Sequence, residues 1–215
     1  MMTDLREIVP EGKSIEEESF RIIDEEIGSH NFDDIHWPIV RRVIHATGDF
    51  EFAKLIYFHP EAVVSCERAL QSGAHIFVDT RMIAAGLSPK RLQKFGVEVK
   101  VPVANGETQE LAREWGITRS AAAFRRVGRE LDKAIVVVGN APTALIEVVR
   151  IIKEGIAFPA LVIGVPVGFV QAAESKELLR RLSFVPSITV EGRKGGSPVA
   201  VAILHGLMDV IANER

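Results

Sequence analysis

The stretch Ala134-Ile135-Val136-Val137-Val138-Gly139-Asn140-Ala141-Pro142-Thr143 decides the fold. Its β-branched run has no polar alternation, so it reads as a strand buried on both faces. Gly139 to Thr143 turn the chain, and residues 144–154 continue as a helix. The same unit recurs outward in both directions. Downstream, Ala160-Leu161-Val162-Ile163-Gly164 is a buried strand, 172–182 a helix, Ser187-Ile188-Thr189-Val190 a strand, and 198–212 the last helix. Upstream, His75-Ile76-Phe77-Val78 is a short buried strand with Asp79 at its carboxyl end. Residues 80–86 read as a short helix, 97–101 alternate like a strand, and 108–115 are helical. Thr118 suits the N-cap of a further helix. Strand and helix in steady alternation give an α/β fold: three layers, α/β/α, with a mainly parallel sheet. Ligands of such sheets bind outside the carboxyl ends of the strands.

Ahead of this lies an N-terminal helical segment. Residues 13–27 carry a buried stripe of Phe20, Ile23 and Ile27, include Ser19, and open on a capping box of Ser14 with Glu17 and Glu18. Trp37, Val40 and Ile44, with Ile39 and Val43, predict a second helix that stops at Gly48. His45 then falls in the last turn, four residues from Arg41. The helix dipole and Asp49 would favour its imidazolium, and Arg41 or Arg42 would oppose it. Histidine trades a proton near neutral pH, so His45 is a candidate acid or base. A surface His at a helix end is the plain alternative. Residues 52–57 read as another helical piece and 60–71 as a helix.

Composition bounds the rest. The chain of 215 residues is 47% hydrophobic, enough for one domain over 1–215. A net charge of −3 gives no global field for nucleic acid or an anionic membrane. The lone Cys66 excludes an internal disulfide and suits a reducing cytoplasm. The start lacks the apolar core of a signal peptide, and no apolar run is long enough to span a bilayer. His30 and His36 stand at a poor spacing for zinc. Neither a P-loop nor a dinucleotide fingerprint follows any strand, and no G-x-S-x-G is present.

The remaining chemistry sits in turns. Those at 139–143, 164–169 and 192–198 each follow a strand with a Gly and lead to a helix, a geometry that can offer backbone N–H groups to an anion. In the last, Arg193 and Lys194 add charge, Gly195 and Gly196 permit close approach, and Ser197-Pro198 suits a helix start. Arg119, at another helix start, offers a forked donor for a carboxylate.

Read in order, Arg42-Val43-Ile44-His45, Thr118-Arg119-Ser120-Ala121-Ala122-Ala123, Gly139-Asn140-Ala141-Pro142-Thr143-Ala144-Leu145, Gly164-Val165-Pro166-Val167-Gly168-Phe169-Val170, Glu174-Ser175-Lys176 and Gly192-Arg193-Lys194-Gly195-Gly196-Ser197 closely resemble the precorrin-8X methylmutase family of corrin-ring biosynthesis. The resemblance runs from about residue 19 to 207. It implies an isomerase of cobalamin (vitamin B12) biosynthesis that moves a methyl group from C-11 to C-12 of a tetrapyrrole. The product is hydrogenobyrinate, or cobyrinate when cobalt is already present. It implies that His45 donates a proton to the ring, and that Ser19, Arg42, Arg119, Asn140, Thr143, Arg193, Gly195, Gly196 and Ser197 bind the carboxylate-rimmed substrate. No cofactor and no metal ligand are implied. The partners implied are the corrinoid substrate and a second copy of the chain, with the site near the subunit boundary. An apolar final helix agrees with a homodimer. His205 departs from the family, which often has Asn there. The stretch 47–53 looks more like the anaerobic branch, which favours cobalt-precorrin-8 as substrate. A non-catalytic corrinoid carrier on the same fold is the alternative, and His45 argues against it.

Overall fold

The structure, a computed structural model, describes residues 12–213. In chain order the elements are α1 (Gly12–Ile27), α2 (His36–Thr47), α3 (Phe52–Leu55), β1 (Ile56–Phe58), α4 (Ala62–Gln71), β2 (Ile76–Val78), α5 (Arg81–Gly86), α6 (Pro89–Phe95), β3 (Val99–Lys100), α7 (Thr108–Glu114), α8 (Arg119–Val127), β4 (Ile135–Val138), α9 (Pro142–Lys153), β5 (Leu161–Gly164), α10 (Ala172–Arg180), β6 (Ser187–Val190) and α11 (Ser197–Asn213). The sheet runs β1-β6-β5-β4-β2-β3. All its neighbours are parallel except β1, which lies antiparallel on β6.

The period of two sorts the strands' side chains between two cores. Ile76, Val78, Ile135, Val137, Leu161 and Ile163 join α2, α4 and α11 on one face. Phe77, Val136, Val138 and Val162 join α8, α9 and α10 on the other. This is the three-layer α/β/α arrangement with a mainly parallel sheet that the repeated strand–helix unit dictates. The crossover from β2 to β3 packs α5 on the first face, and that from β4 to β5 packs α9 on the second. The connections therefore part between β2 and β4, the place where open α/β sheets receive ligands.

Helix α2 is pressed against α11. A methyl group on Gly206 would come within 2.9 Å of the Ile39 Cα, so only a bare backbone fits there. Helix α1 lies outside α2, with Ile23 as its one buried side chain among the described residues. The apolar face of α11, from Val199 to Ile211, is covered by its own chain. It leaves no uncovered stripe for a second copy, contrary to the reading of its composition.

Other differences are local. The helix expected over 52–57 stops at Leu55, and Ile56-Tyr57-Phe58 pair with β6, because β-branched and aromatic residues suit an open sheet edge. The strand over 97–101 shortens to Val99–Lys100. Helix α6 adds an element that the sequence pattern does not mark out, although Pro89 in its first turn and Gly96 at its end, with φ 65°, are ordinary helix signals. The capping-box reading of Ser14 lies outside the residues whose side chains are described. Among the described residues no helix is long and apolar enough to cross a membrane.

Candidate active site

Gly48, with φ 64°, donates its N–H to the Ile44 carbonyl and ends α2 three residues after His45. The His45 Nδ1 lies 2.8 Å from the Ser19 Oγ of α1. The Phe20 ring meets the imidazole edge-on, with centroids 5.3 Å apart. Two contacts therefore fix the ring plane, and a bond at Nδ1 sets which chemistry Nε2 can do. His45 opens on a largely apolar cleft of about 510 Å³ walled by Ile15, Ile22, Ile23, Ile44 and Phe50, with Glu18 and Glu26 also lining it. Such a place can hold the apolar edge of a flat ligand against one positioned proton donor. Arg41 and Arg42 are not free beside it. Arg41 pairs with Asp24 at 2.5 Å. Arg42 bridges Glu16 at 3.0 Å and Asp209 at 2.8 Å, on a separate large cleft.

Arg119 stands at the first position of α8, whose Thr118 cap accepts the Ala121 N–H at 3.2 Å. With Asn140, Ser120, Thr80 and Arg81 it lines a polar cleft of about 640 Å³ at the parting of β2 and β4. No carboxylate pairs with Arg119 among the described residues. Its fork is therefore available to an acidic ligand. Thr143 lines a neighbouring cleft and accepts the Thr118 hydroxyl at 2.8 Å.

The 139–143 turn does not hold its N–H groups open. Asp79, only 2% exposed, accepts from Gly139 at 3.0 Å and from Asn140 and Ala141 at 2.8 Å each. Burial raises the Asp79 carboxyl above its usual range, and the three N–H groups pull it back. The sequence marked Asp79 only as the end of a strand. An acid just past a fully buried strand is the signal that could have found it.

The 192–198 turn is also tightly held. Gly196 donates to the Val165 carbonyl at 2.8 Å, and the Ser197 Oγ lies 3.3 Å from the Thr80 Oγ1. Gly195 has φ 149°, and a Cβ there would fall 2.2 Å from the Val165 carbonyl oxygen. Its glycines serve the approach of one loop to another as well as any ligand. Arg193 lies over the Phe169 ring at 5.3 Å, and Phe169 and Val170 are 85% and 79% exposed. The Lys194 ammonium binds Asp49 and Glu51, just beyond the end of α2.

The sequence-derived residues thus fall into sets: Ser19 with His45, Arg119 with Asn140, Thr143 alongside, and Arg193, Gly195, Gly196 and Ser197 in one turn. Arg42 faces elsewhere. Cys66 is buried and its thiol pushed up to about 12, consistent with packing. His30 stacks on Trp37 and His36 bonds to Asp33 at 2.7 Å.

His205 has a structural duty. Its Nε2 accepts the Ser88 N–H at 3.0 Å and so holds the start of α6. Burial, then Arg91 and Arg42, pull its pKa down to about 4 from an ordinary 6.5. The unfolded imidazole takes its proton near pH 6.5, and the folded one resists until about 4. In that window the unfolded state binds more protons, so stability falls as pH drops. The loss is at most about 3 kcal/mol at 1.36 kcal/mol per unit. Urea titrations of the wild type and His205→Asn at pH 7.5 and pH 4.5 should show this component in the wild type only.

Residues 14–210 match the CbiC family, described as precorrin-8X methylmutase. A cobalt-precorrin-8 methylmutase of Priestia megaterium is 45% identical over 95% of this chain and 91% of its own. A precorrin-8X methylmutase of Sinorhizobium is 40% identical over 93% of this chain and 95% of its own. A precorrin-8X methylmutase structure from Thermus thermophilus has 50% identity and a TM-score of 0.86, covering 94% of this chain and 98% of that one.

Proposed function

We propose, since the chain belongs to the precorrin-8X methylmutase family and is an isomerase, that it moves a methyl group from C-11 to C-12 of a precorrin-8 macrocycle in cobalamin biosynthesis. The observation that carries this reading is His45, its Nδ1 fixed by Ser19, at the mouth of an apolar cleft. In the proposed step His45 protonates a ring nitrogen and draws electron density from the ring. The methyl carbon then leaves C-11 and bonds to C-12, and the proton returns. No atom is gained or lost, so no co-reactant is required. The residues' share is one placed proton and a fixed ring orientation. Cobalt-precorrin-8 is the proposed substrate, since relatives in Priestia megaterium and Leptospira interrogans, 45% and 42% identical, carry that name. A single buried thiol supports a cytoplasmic setting. The test is conversion of metal-free and cobalt-loaded substrate, followed by product absorbance. Binding without conversion of either would replace the enzyme with a carrier.

Arg119 supplies the fork for a substrate carboxylate in this reading. Arg119→Ala should weaken substrate binding by about 1.5–3 kcal/mol, the worth of a hydrogen bond to a charged group. Titration of the variant with unchanged affinity would remove Arg119 from the site.

The active unit is proposed to be a homodimer. The His45 and Arg119 clefts share no lining residue within one chain. The exposed Phe169 and Val170 supply apolar surface for a second copy. If His45 of one subunit serves with Arg119 of the other, His45→Ala and Arg119→Ala chains should complement when co-refolded. A mixed dimer keeps one intact site, so about a quarter of wild-type activity should return at limiting substrate. Activity equal to the mean of the two parents would place each site within one chain.

A further inference from the structure

The Lys176 side chain belongs to none of the sites above, yet it is among the largest fully buried side chains, at 1% exposure. Its ammonium donates to the Lys194 carbonyl at 2.7 Å. No carboxylate pairs with it among the described residues. Burial pulls its pKa down to about 8. A leucine or methionine would fill the space between α10 and the sheet without a desolvated charge. The charge is therefore spent on one carbonyl, in the middle of the 192–197 turn.

That turn meets the rest of the chain on several sides. The Val165 carbonyl accepts the Gly196 N–H, and the Gly168 N–H reaches the Arg193 carbonyl at 3.2 Å. Consecutive side chains then part: Arg193 goes to Phe169, and Lys194 goes to Asp49 and Glu51. Asp49 directly follows the glycine that ends the His45 helix. The Lys194 backbone is held from inside the protein while its side chain grips the segment beside His45.

We propose that Lys176 is a positioning residue for the methyl shift, which sets the 192–197 turn through the Lys194 carbonyl and, through the Lys194 side chain, the spacing between Arg193 and the end of the His45 helix. This rests on the reaction proposed above for His45. Misplacement of reacting groups by about an ångström can cost on the order of a hundredfold in rate.

Lys176→Met keeps length and removes the donor. We expect its kcat to fall at least about tenfold, with substrate affinity changed much less. Trypsin should also cut after Arg193 and Lys194 faster in this variant, read as fragment masses, while its thermal midpoint stays near wild type. Lys194→Met changes a side chain that is 38% exposed, so it serves if Lys176→Met does not fold. It should lose turnover in the same direction with affinity retained. Wild-type kcat in Lys194→Met, or wild-type kcat and cleavage rate in a folded Lys176→Met, would overturn the inference. Failure of the wild type to convert substrate would instead defeat the reaction assignment, and the cleavage rates would still decide whether Lys176 holds the turn.

Discussion

His45→Ala should bind the substrate and fail to turn it over. The imidazole is exposed at the end of α2, and the core of that helix is Ile39, Val40, Val43 and Ile44. Removing the ring leaves this packing intact, so the variant should fold with a near wild-type midpoint. Loss of a positioned acid costs about 10²–10⁴ in rate. Affinity should fall far less, because the apolar wall of Ile15, Ile22 and Phe50 and the Arg119 fork remain. The measurement pairs product absorbance under saturating substrate with a binding titration. Near wild-type kcat would remove the acid role. A parallel loss of binding and turnover would make His45 a contact and leave the shift to ring orientation. Ser19→Ala gives a graded companion: it frees the Nδ1 held at 2.8 Å, so kcat should drop by less than in His45→Ala.

Asp79→Ala should be the most damaging substitution for stability among those considered. It strips the acceptor from the N–H groups of Gly139, Asn140 and Ala141 at the centre of the sheet's carboxyl edge. A buried donor left unsatisfied costs about 1–3 kcal/mol. Gly139 is the buried donor of the three, whereas the Asn140 and Ala141 N–H groups are partly buried and can turn to water, and relief of the carboxylate's own desolvation offsets part of the cost, so a net loss of about 1–3 kcal/mol is expected. For a chain of this size that lowers the midpoint by roughly 6 °C, at about 2–4 °C per kcal/mol. Asp79→Asn should fall between, since its amide oxygen accepts while its NH₂ faces donors. Calorimetry showing a midpoint shift under 2 °C in Asp79→Ala would mean that the turn finds other acceptors.

The layer order was legible because it depends on local pattern. Ile135-Val136-Val137-Val138 has too many β-branched side chains and too few polar ones for any place but a central strand, and β5 repeats the case. The helical reading of 52–57 holds to Leu55 and fails at Ile56 and Tyr57, because pairing with β6, a long-range contact, outweighs local helix preference there. The site was legible in part. His45 at a helix end and Arg119 after a Thr cap both follow from local signals. Occupancy did not. The filling of the 139–143 turn by Asp79 joins residues 60 apart in the chain, and the tie of Arg42 to Asp209 joins residues at opposite ends of it. Glycines at 195 and 196 read as room for a ligand, whereas one of them is needed for the Val165 backbone to pass. Sequence shows which groups could bind an anion; only the fold shows which are already engaged.

The bare contact between Gly206 and Ile39 leaves α2 almost no play against α11. The Cα of His45 is thereby fixed in translation by the core, whereas its ring is steered in rotation by Ser19 on the outer helix. Position and aim are thus governed by different layers of the molecule. A bulkier residue at 206 would displace the whole lever, and a change at 19 would only swivel its tip.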